Sequence, residues 1–155
     1  MSIEWYFDDF YVGQEIDMGE RPVSEDEIVA FARDFDPQPF HLDPAAAGAS
    51  IYGGVIASGW HTCSLMMRMV VDGLLCRAAG MGSPGLDRVQ WRRPLRGGDT
   101  LKVRYLTTAV TASASKPDRG VVRSTWTATN QHGQEICIIE GIGLFGRRPA
   151  GGGDD

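Results

Sequence analysis

The first clear hydrophobic pattern along the chain is an amphipathic helix between residues 24 and 35. Ser24 and Glu27 form a capping box, in which the hydroxyl and the carboxylate satisfy exposed N–H groups at a helix start. The apolar residues that follow recur at helical spacing and give the helix one buried face: Ile28, Phe31, Ala32 and Phe35. We expect the helix to end near Asp36, because a residue that precedes proline avoids the α region.

A longer apolar stretch from Trp60 to Leu75 predicts a second helix, which is buried on most of its sides. Its apolar positions include Leu65, Met66, Met69, Val70 and Leu74. The glycine-rich segment 51–59 leads into it. We interpret this stretch as the central helix of the fold. Its methionines, Met66, Met67 and Met69, are interpreted first as core-filling residues and second as the lining of a flexible acyl pocket.

The second half of the chain changes to β-rich segments separated by turns. Four strands are predicted, at Leu86 to Arg93, Thr100 to Ala112, Gly120 to Asn130 and Glu135 to Phe145. The segment from Trp5 to Gly13 is interpreted as a further, short edge strand. One long helix followed by four consecutive antiparallel strands predicts an α+β fold, in which an antiparallel β-sheet wraps around a long central helix.

The length, net charge and cysteine content of the chain restrict the class of protein to which it can belong. The 155 residues fit one domain, predicted over residues 1–149 and followed by a flexible tail over 150–155. Fifteen basic against twenty acidic residues give a net charge of -5, which lacks the electrostatic footprint of a nucleic-acid-binding protein. The three cysteines, Cys63, Cys76 and Cys137, show no metal-ligand spacing and are interpreted as small core residues in a reducing compartment.

The N-terminal sequence is acidic where a secretory signal carries a basic region, and no run of 18 apolar residues occurs in the chain. We therefore expect a cytoplasmic protein without a membrane span.

The most informative segment for chemistry runs from Asp36 to His41. It places a carboxylate and an imidazole five residues apart. We expect the prolines at positions 37, 39 and 44 to hold residues 37–44 as a stiff loop that directs both groups to one point. A short helical turn is predicted next, from Asp43 to Ala47. The residue types alone leave a second interpretation open, because aspartate before proline is a common turn former and a single loop histidine is often structural.

The pattern Asp36-x-Gln38-Pro39-x-His41-x-Asp43 resembles the hydratase motif of the MaoC-like dehydratases and (R)-specific enoyl-CoA hydratases, which is written D-x-N-P-x-H and is often followed by x-D-P. The departure within the motif is Gln38, where many members carry asparagine. The resemblance extends over roughly residues 5 to 147, and it implies a single hot-dog fold.

The resemblance also implies a reaction and roles for individual residues. Asp36 and His41 are expected to hold a water and transfer its protons, so that water is added to a trans-2-enoyl thioester or removed from an (R)-3-hydroxyacyl thioester. The backbone N–H of Gly59 is expected to bind the thioester oxygen at the start of the central helix, because such amides lack an intrahelical acceptor. Ser58 is a weaker candidate for substrate contact, and its alternative role is as an ordinary helix cap. His61 is interpreted as structural, and His132 as a solvent-facing residue of a turn.

The expected substrate is a coenzyme A or acyl-carrier thioester, and no metal or redox cofactor is implied. The basic cluster Arg88, Arg92, Arg93 and Arg96 could hold phosphates of such a carrier, although a solvated strand edge explains it more simply. The resemblance implies a homodimer or a dimer of dimers, with no nucleic-acid or membrane partner. Two other functions stay open within the same fold, namely an acyl-CoA thioesterase and a non-catalytic subunit that binds acyl thioesters.

Overall fold

A computed structural model describes residues 2–151 of the chain. In chain order, its helices and strands are β1 (Glu15–Pro22), α1 (Glu25–Phe35), α2 (Pro39–Leu42), α3 (Pro44–Ala49), α4 (Gly59–Gly73), β2 (Leu86–Trp91), β3 (Thr100–Ala112), β4 (Arg119–Thr129) and β5 (Glu135–Gly146). Single 3-10 turns lie at Phe7–Asp9 and at Leu75–Arg77.

The five strands form one antiparallel sheet in the order β1-β3-β4-β5-β2. The long strands β3, β4 and β5 lie at its centre, and β1 and β2 form its two edges. The buried residues of α4 alternate at helical spacing with exposed ones, so that this helix packs one face against the sheet. The expected α+β architecture, a sheet around a central helix, is confirmed.

The core lies between α4 and the inner face of the sheet. Met66 and Val70 on α4 and Val103 and Val122 on the central strands have no exposed surface. Burying each such side chain contributes about 1.5–3 kcal/mol to folding. Cys137 is buried in the same core, Cys63 and Cys76 are partly buried, and all three are free thiols. The packing of the buried face of α4 in this core holds the helix rigidly, which fixes the position of its N-terminus.

Helix α1 begins and ends where the sequence predicts. The hydroxyl of Ser24 accepts a hydrogen bond from the backbone N–H of Glu27 at 3.2 Å. Asp36 caps the C-terminal end with φ -151° and ψ 66°, outside the helical region, as the following proline requires.

Two predictions about local structure are wrong, and a third is confirmed with slightly shifted bounds. The segment from Trp5 to Gly13 forms a 3-10 turn and a single bridge from Trp5 to Ala78, and the edge strand is β1. The proline-rich segment contains the one-turn helix α2, because Pro39 at its first position has the φ that a helix start needs. The turn predicted from Asp43 is α3, which begins at Pro44 with Asp43 as its cap.

Residues 150 and 151 of the predicted tail have no regular structure. The remainder of that prediction, residues 152–155, lies outside the described residues, as does Met1.

Candidate active site

The chain turn between α1 and α2 brings Asp36 and His41 together. α1 ends at Phe35, and α2 carries His41 back over the end of α1. The Nε2 atom of His41 lies 3.2 Å from Oδ2 of Asp36. The structure therefore places the two residues of the sequence motif in direct contact.

The imidazole of His41 is buried and held in one orientation. Its Nδ1 atom lies 2.6 Å from the carbonyl oxygen of Ile56, and the ring packs edge-on against Phe40 with centroids 4.5 Å apart. A carbonyl oxygen only accepts, so Nδ1 carries the hydrogen and donates it. Nε2 is then the ring nitrogen that faces Asp36, at a distance where it can share a proton with the carboxylate. The pair consequently directs Nε2 and a carboxylate oxygen to one point, where a single water or proton can be shared.

Asp36 remains a carboxylate in this environment. Burial acts to raise its pKa, but the hydrogen bond from the Gln38 amide, together with the nearby Ser58 hydroxyl and the ring of His41, holds the pKa of Asp36 below its ordinary value of 3.8. The strongest of these contacts joins Gln38 Nε2 to Asp36 Oδ1 at 2.6 Å. The carboxyl side chain is 19% exposed, so it remains open to a small molecule.

Ser58 occupies the N-cap position of α4, as predicted, but its hydroxyl does not cap the helix. The side chain is fully buried, and its Oγ atom has no hydrogen-bond partner at normal distance among residues 2–151. The hydroxyl is nevertheless near enough to Asp36 to help lower the pKa of that carboxyl. Burying a hydroxyl without a hydrogen-bond partner costs free energy, so we expect a ligand or a water to form a hydrogen bond with it.

Gly59 is the first residue of α4, and its N–H therefore lacks an intrahelical acceptor. The indole of Trp91 lies directly against this glycine. A Cβ atom at position 59 would come within 2.4 Å of the Trp91 ring, and the indole Nε1 donates a hydrogen bond to the Gly59 carbonyl at 2.9 Å. The close packing of the Trp91 indole thus explains why glycine is needed at this position.

These residues share one cavity of about 410 Å³. Asp36, His41 and Gly59 line it, with Trp60 and Trp91 forming an edge-to-face aromatic pair at 5.5 Å. Ser58 lies behind this lining. Trp60, Trp91 and Tyr52 were not identified from the sequence. The indole of Trp91 reaches Gly59 across 32 residues, and no local pattern reports such a contact.

The basic cluster divides into two groups. Arg92 and Arg93 line the cavity that holds Asp36, and both are exposed. Arg96 donates to the backbone carbonyl of Tyr52 at 2.6 Å and is structural. Arg88 is exposed on the edge strand β2. Arg92 is in an exposed ion pair with Glu135, with 3.7 Å between Nε and Oε2, whereas Arg93 has no ion pair among residues 2–151.

His61 and His132 lie outside the cavity lining. His61 is buried, and its ring stacks on Phe31 of α1 with centroids 4.6 Å apart. His132 is exposed in the turn between β4 and β5.

Residues 2–151 contain no group of three or more His, Cys, Asp and Glu side chains arranged to hold a metal ion. Within that same range, no helix has both the length and the apolar character needed to cross a membrane.

A second cavity, of about 440 Å³, lies towards the other end of α4. Its lining is mainly apolar and includes Met67 and Val71 of α4, Leu86 of β2, and Gly141 and Gly143 of β5. The two glycines keep the sheet surface free of side chains there. Met67 and Leu86 are 43% and 52% exposed, so this cavity opens at the β2 edge of the molecule.

An antiparallel sheet wrapped around a central helix defines the class of hot-dog proteins. The family model for the MaoC like domain matches residues 9–130. The chain belongs to the MaoC-like family.

Solved structures agree with this assignment. The MaoC-like dehydratase from Rhodospirillum rubrum is 38% identical and superposes with a TM-score of 0.86, covering 95% of this chain and 100% of that one. The (R)-hydratase PhaJ1 from Pseudomonas aeruginosa shares the fold with a TM-score of 0.73 at 22% identity, covering 92% of this chain and 86% of that one.

Among curated relatives, nodulation protein N from Rhizobium leguminosarum bv. viciae is 36% identical over 100 residues, which are 61% of this chain and 62% of that protein. The uncharacterized protein YdeM from Bacillus subtilis (strain 168) is 35% identical over 65 residues, or 42% of this chain and 46% of that protein. The chain spans about half to three-fifths of the length of these curated relatives.

Proposed function

We propose that this protein is a hydro-lyase that adds water to a trans-2-enoyl thioester, or removes water from the corresponding (R)-3-hydroxyacyl thioester. The contact between Asp36 and His41 at 3.2 Å carries the proposal, because it sets a carboxylate and an imidazole nitrogen around the position of one water. The hydrogen bond from His41 to the Ile56 carbonyl supports it, since it leaves Nε2 free to take or give a proton.

In the direction of hydration, the pair orients a water against C3 of the enoyl group. As the water oxygen bonds to C3, one proton of the water passes to the pair, and the π electrons move towards the thioester oxygen. The pair then delivers a proton to C2, which restores the thioester carbonyl. The ionised state of Asp36 suits it to the first step, because a carboxylate that is already deprotonated can accept a proton from water.

The developing negative charge on the thioester oxygen requires a donor. Gly59 offers its backbone N–H at the positive end of the α4 dipole, in the same cavity as Asp36. Ser58 adds a buried hydroxyl that has no hydrogen-bond partner in the described part of the chain. We propose that the bound substrate or its water forms a hydrogen bond with this hydroxyl.

We propose coenzyme A as the carrier. The exposed Arg92 and Arg93 at the cavity carry charge that suits its phosphates, whereas the molecule as a whole has a net charge of -5. The thioester is thus a substrate, and the proposal assigns no metal or redox cofactor.

We also propose a homodimer that forms through β2. The other edge strand, β1, is protected by acidic residues, by an irregularity between Asp17 and Glu20, and by Pro22. β2 also has an irregularity, between Leu86 and Arg88, and carries Asp87, but it contains no proline, and its apolar residues Leu86 and Trp91 are about half exposed. Pairing two β2 strands around a twofold axis would extend the sheet and cover these side chains.

Such a dimer would join the two kinds of cavity. In antiparallel β2 pairing, the Leu86 end of one strand lies beside the Trp91 end of its partner. The apolar cavity at Leu86 in one protomer is then a neighbour of the Asp36 cavity in the other. We propose that the acyl chain extends into this second cavity.

The test follows a short trans-2-enoyl-CoA by the absorbance of its conjugated double bond, with free thiol measured in the same sample. Loss of the enoyl absorbance without thiol release is the expected result. Thiol release would show thioester hydrolysis instead, and no change in either signal over several chain lengths would contradict the proposed reaction.

A further inference from the structure

The Asp36 carboxylate is hydrogen-bonded by Gln38, which stands where many members of the family carry asparagine. The amide Nε2 of Gln38 donates a hydrogen bond to Oδ1 of Asp36 at 2.6 Å. The backbone N–H of Gln38 also donates to the Asp36 carbonyl oxygen at 2.8 Å. Gln38 occupies the N-cap position of α2, but its side chain turns to Asp36 and does not cap that helix.

We propose that Gln38 is a positioning residue, which holds the Asp36 carboxylate so that Oδ2 faces Nε2 of His41. The inference rests on the proposed function, because it concerns how the base of that reaction is aligned. A carboxylate rotates freely about its last side-chain bond, and a strong donor on Oδ1 restricts this rotation.

The length of the glutamine side chain matters for this contact. Pro37 and Pro39 on either side of Gln38 fix two backbone dihedrals, so the distance from the Gln38 backbone to Asp36 is largely set. An asparagine on the same backbone would be shorter by one methylene, about 1.5 Å. The glutamine found in this chain therefore reaches an oxygen that the shorter amide would not reach directly.

A neutral hydrogen-bond donor, such as the Gln38 amide, is also suited to aligning the Asp36 carboxylate. The titratable or charged groups near Asp36 are His41 on α2 and, in the lining of the same cavity, Arg92 and Arg93. Arg33 and Asp34 on α1 are exposed to solvent. A cation in place of Gln38 would align the carboxylate but would also neutralise it, which weakens a base. The Gln38 amide also lowers the pKa of Asp36 through its hydrogen bond, but it adds no positive charge that would cancel the charge of the carboxylate.

The test replaces Gln38 by methionine, which keeps the length of the side chain and removes its N–H donors. We expect Gln38→Met to lower kcat by about tenfold, with KM within about twofold of the wild type, because Gln38 contacts Asp36 and not the substrate. Gln38 is exposed, so the variant should fold, and thermal unfolding checks this. A second variant, Gln38→Ala, should give the same split between kcat and KM.

A double-mutant cycle identifies the residue through which Gln38 acts. In an Asp36→Asn background, measured at high enzyme concentration, Gln38→Met should cause no further loss, because the group it positions is already removed. A wild-type kcat in Gln38→Met, or the same tenfold loss in both backgrounds, would overturn the inference. If Asp36→Asn itself has wild-type activity, the proposed function fails, which is a separate result.

Discussion

At the residue scale, the site is defined by three contacts that each fix one group. The Ile56 carbonyl fixes the tautomer of His41, Gln38 fixes the Asp36 carboxylate, and Trp91 packs on Gly59. The motif in the sequence predicted Asp36 and His41. It did not predict Trp91 or Ile56, because these contacts span 32 and 15 residues and depend on how the sheet and helix pack.

Gly59→Ala tests the packing at the start of α4. The added methyl group would come within 2.4 Å of the Trp91 indole, so the ring or the helix must shift. We expect a loss of about 1–3 kcal/mol in the free energy of unfolding, together with reduced activity. Gly48→Ala, where a Cβ atom meets nothing within 4 Å, is the matched control. Equal melting temperatures for the two variants would argue against this packing.

At the element scale, most of the fold follows from periodicity, and the exceptions have physical causes. α1, α4 and the strands β3 to β5 carry strong patterns and were predicted closely. The sequence did not predict β1, because charged residues and Gly19 interrupt the alternation of apolar and polar positions. The strand is stabilised by its pairing with β3, which the local sequence does not show. α2 is only four residues long, and contacts with α1 and α3 support it.

The packing of α1 on α4 makes stability depend on pH. Burial lowers the pKa of His61 from its ordinary value of 6.5; nearby Glu27 opposes this effect and Arg21 adds to it. The unfolded chain therefore binds this proton more readily, so the contribution of His61 to stability is complete above pH 6.5 and is lost as the pH falls below it. We expect His61→Leu to lose less stability than the wild type between pH 7 and 5 in thermal unfolding.

His132→Leu serves as the control for this experiment, since His132 is exposed in a turn. It should keep the pH dependence of the wild type, and any contribution from His41 is shared by all three proteins. Identical pH dependence in the wild type and His61→Leu would contradict the account of α1–α4 packing.

At the scale of the whole molecule, four of the large exposed apolar side chains line the two cavities. Trp60 and Met67 are seven residues apart on α4, and Leu86 and Trp91 lie on β2. The sequence shows that these residues are apolar but not that they share a surface, because that depends on β2 lying at the edge of the sheet. A dimer through this edge remains a prediction from the resemblance and from the exposed surface.

Leu86→Lys tests the dimer. A lysine at this position is solvated in a monomer and would be buried in the proposed interface, so we expect sedimentation velocity to show monomers at concentrations where the wild type is dimeric. Tyr11→Lys, at an exposed apolar residue far from β2 in the sequence, should leave the dimer intact. A monomeric wild type would remove the basis for the joined cavities.

Gly141→Val tests whether the second cavity holds the acyl chain. A Cβ atom at Gly141 meets only Leu86, at an ordinary 3.5 Å, so the larger side chain fits the strand and takes up cavity volume. We expect kcat/KM to fall at least tenfold for an eight-carbon enoyl-CoA and to change less than threefold for the four-carbon substrate. Equal losses for both chain lengths would place the acyl chain elsewhere.

The central claim is that Asp36 and His41 act together on water, and Asp36→Asn tests it most directly. The amide keeps the size of the carboxyl group and cannot accept a proton from water, so kcat for hydration of a trans-2-enoyl-CoA should fall by at least about 100-fold with an unchanged melting temperature. Asp34→Asn, an exposed position on the same helix, should retain activity within about twofold. Wild-type turnover by Asp36→Asn would contradict the account.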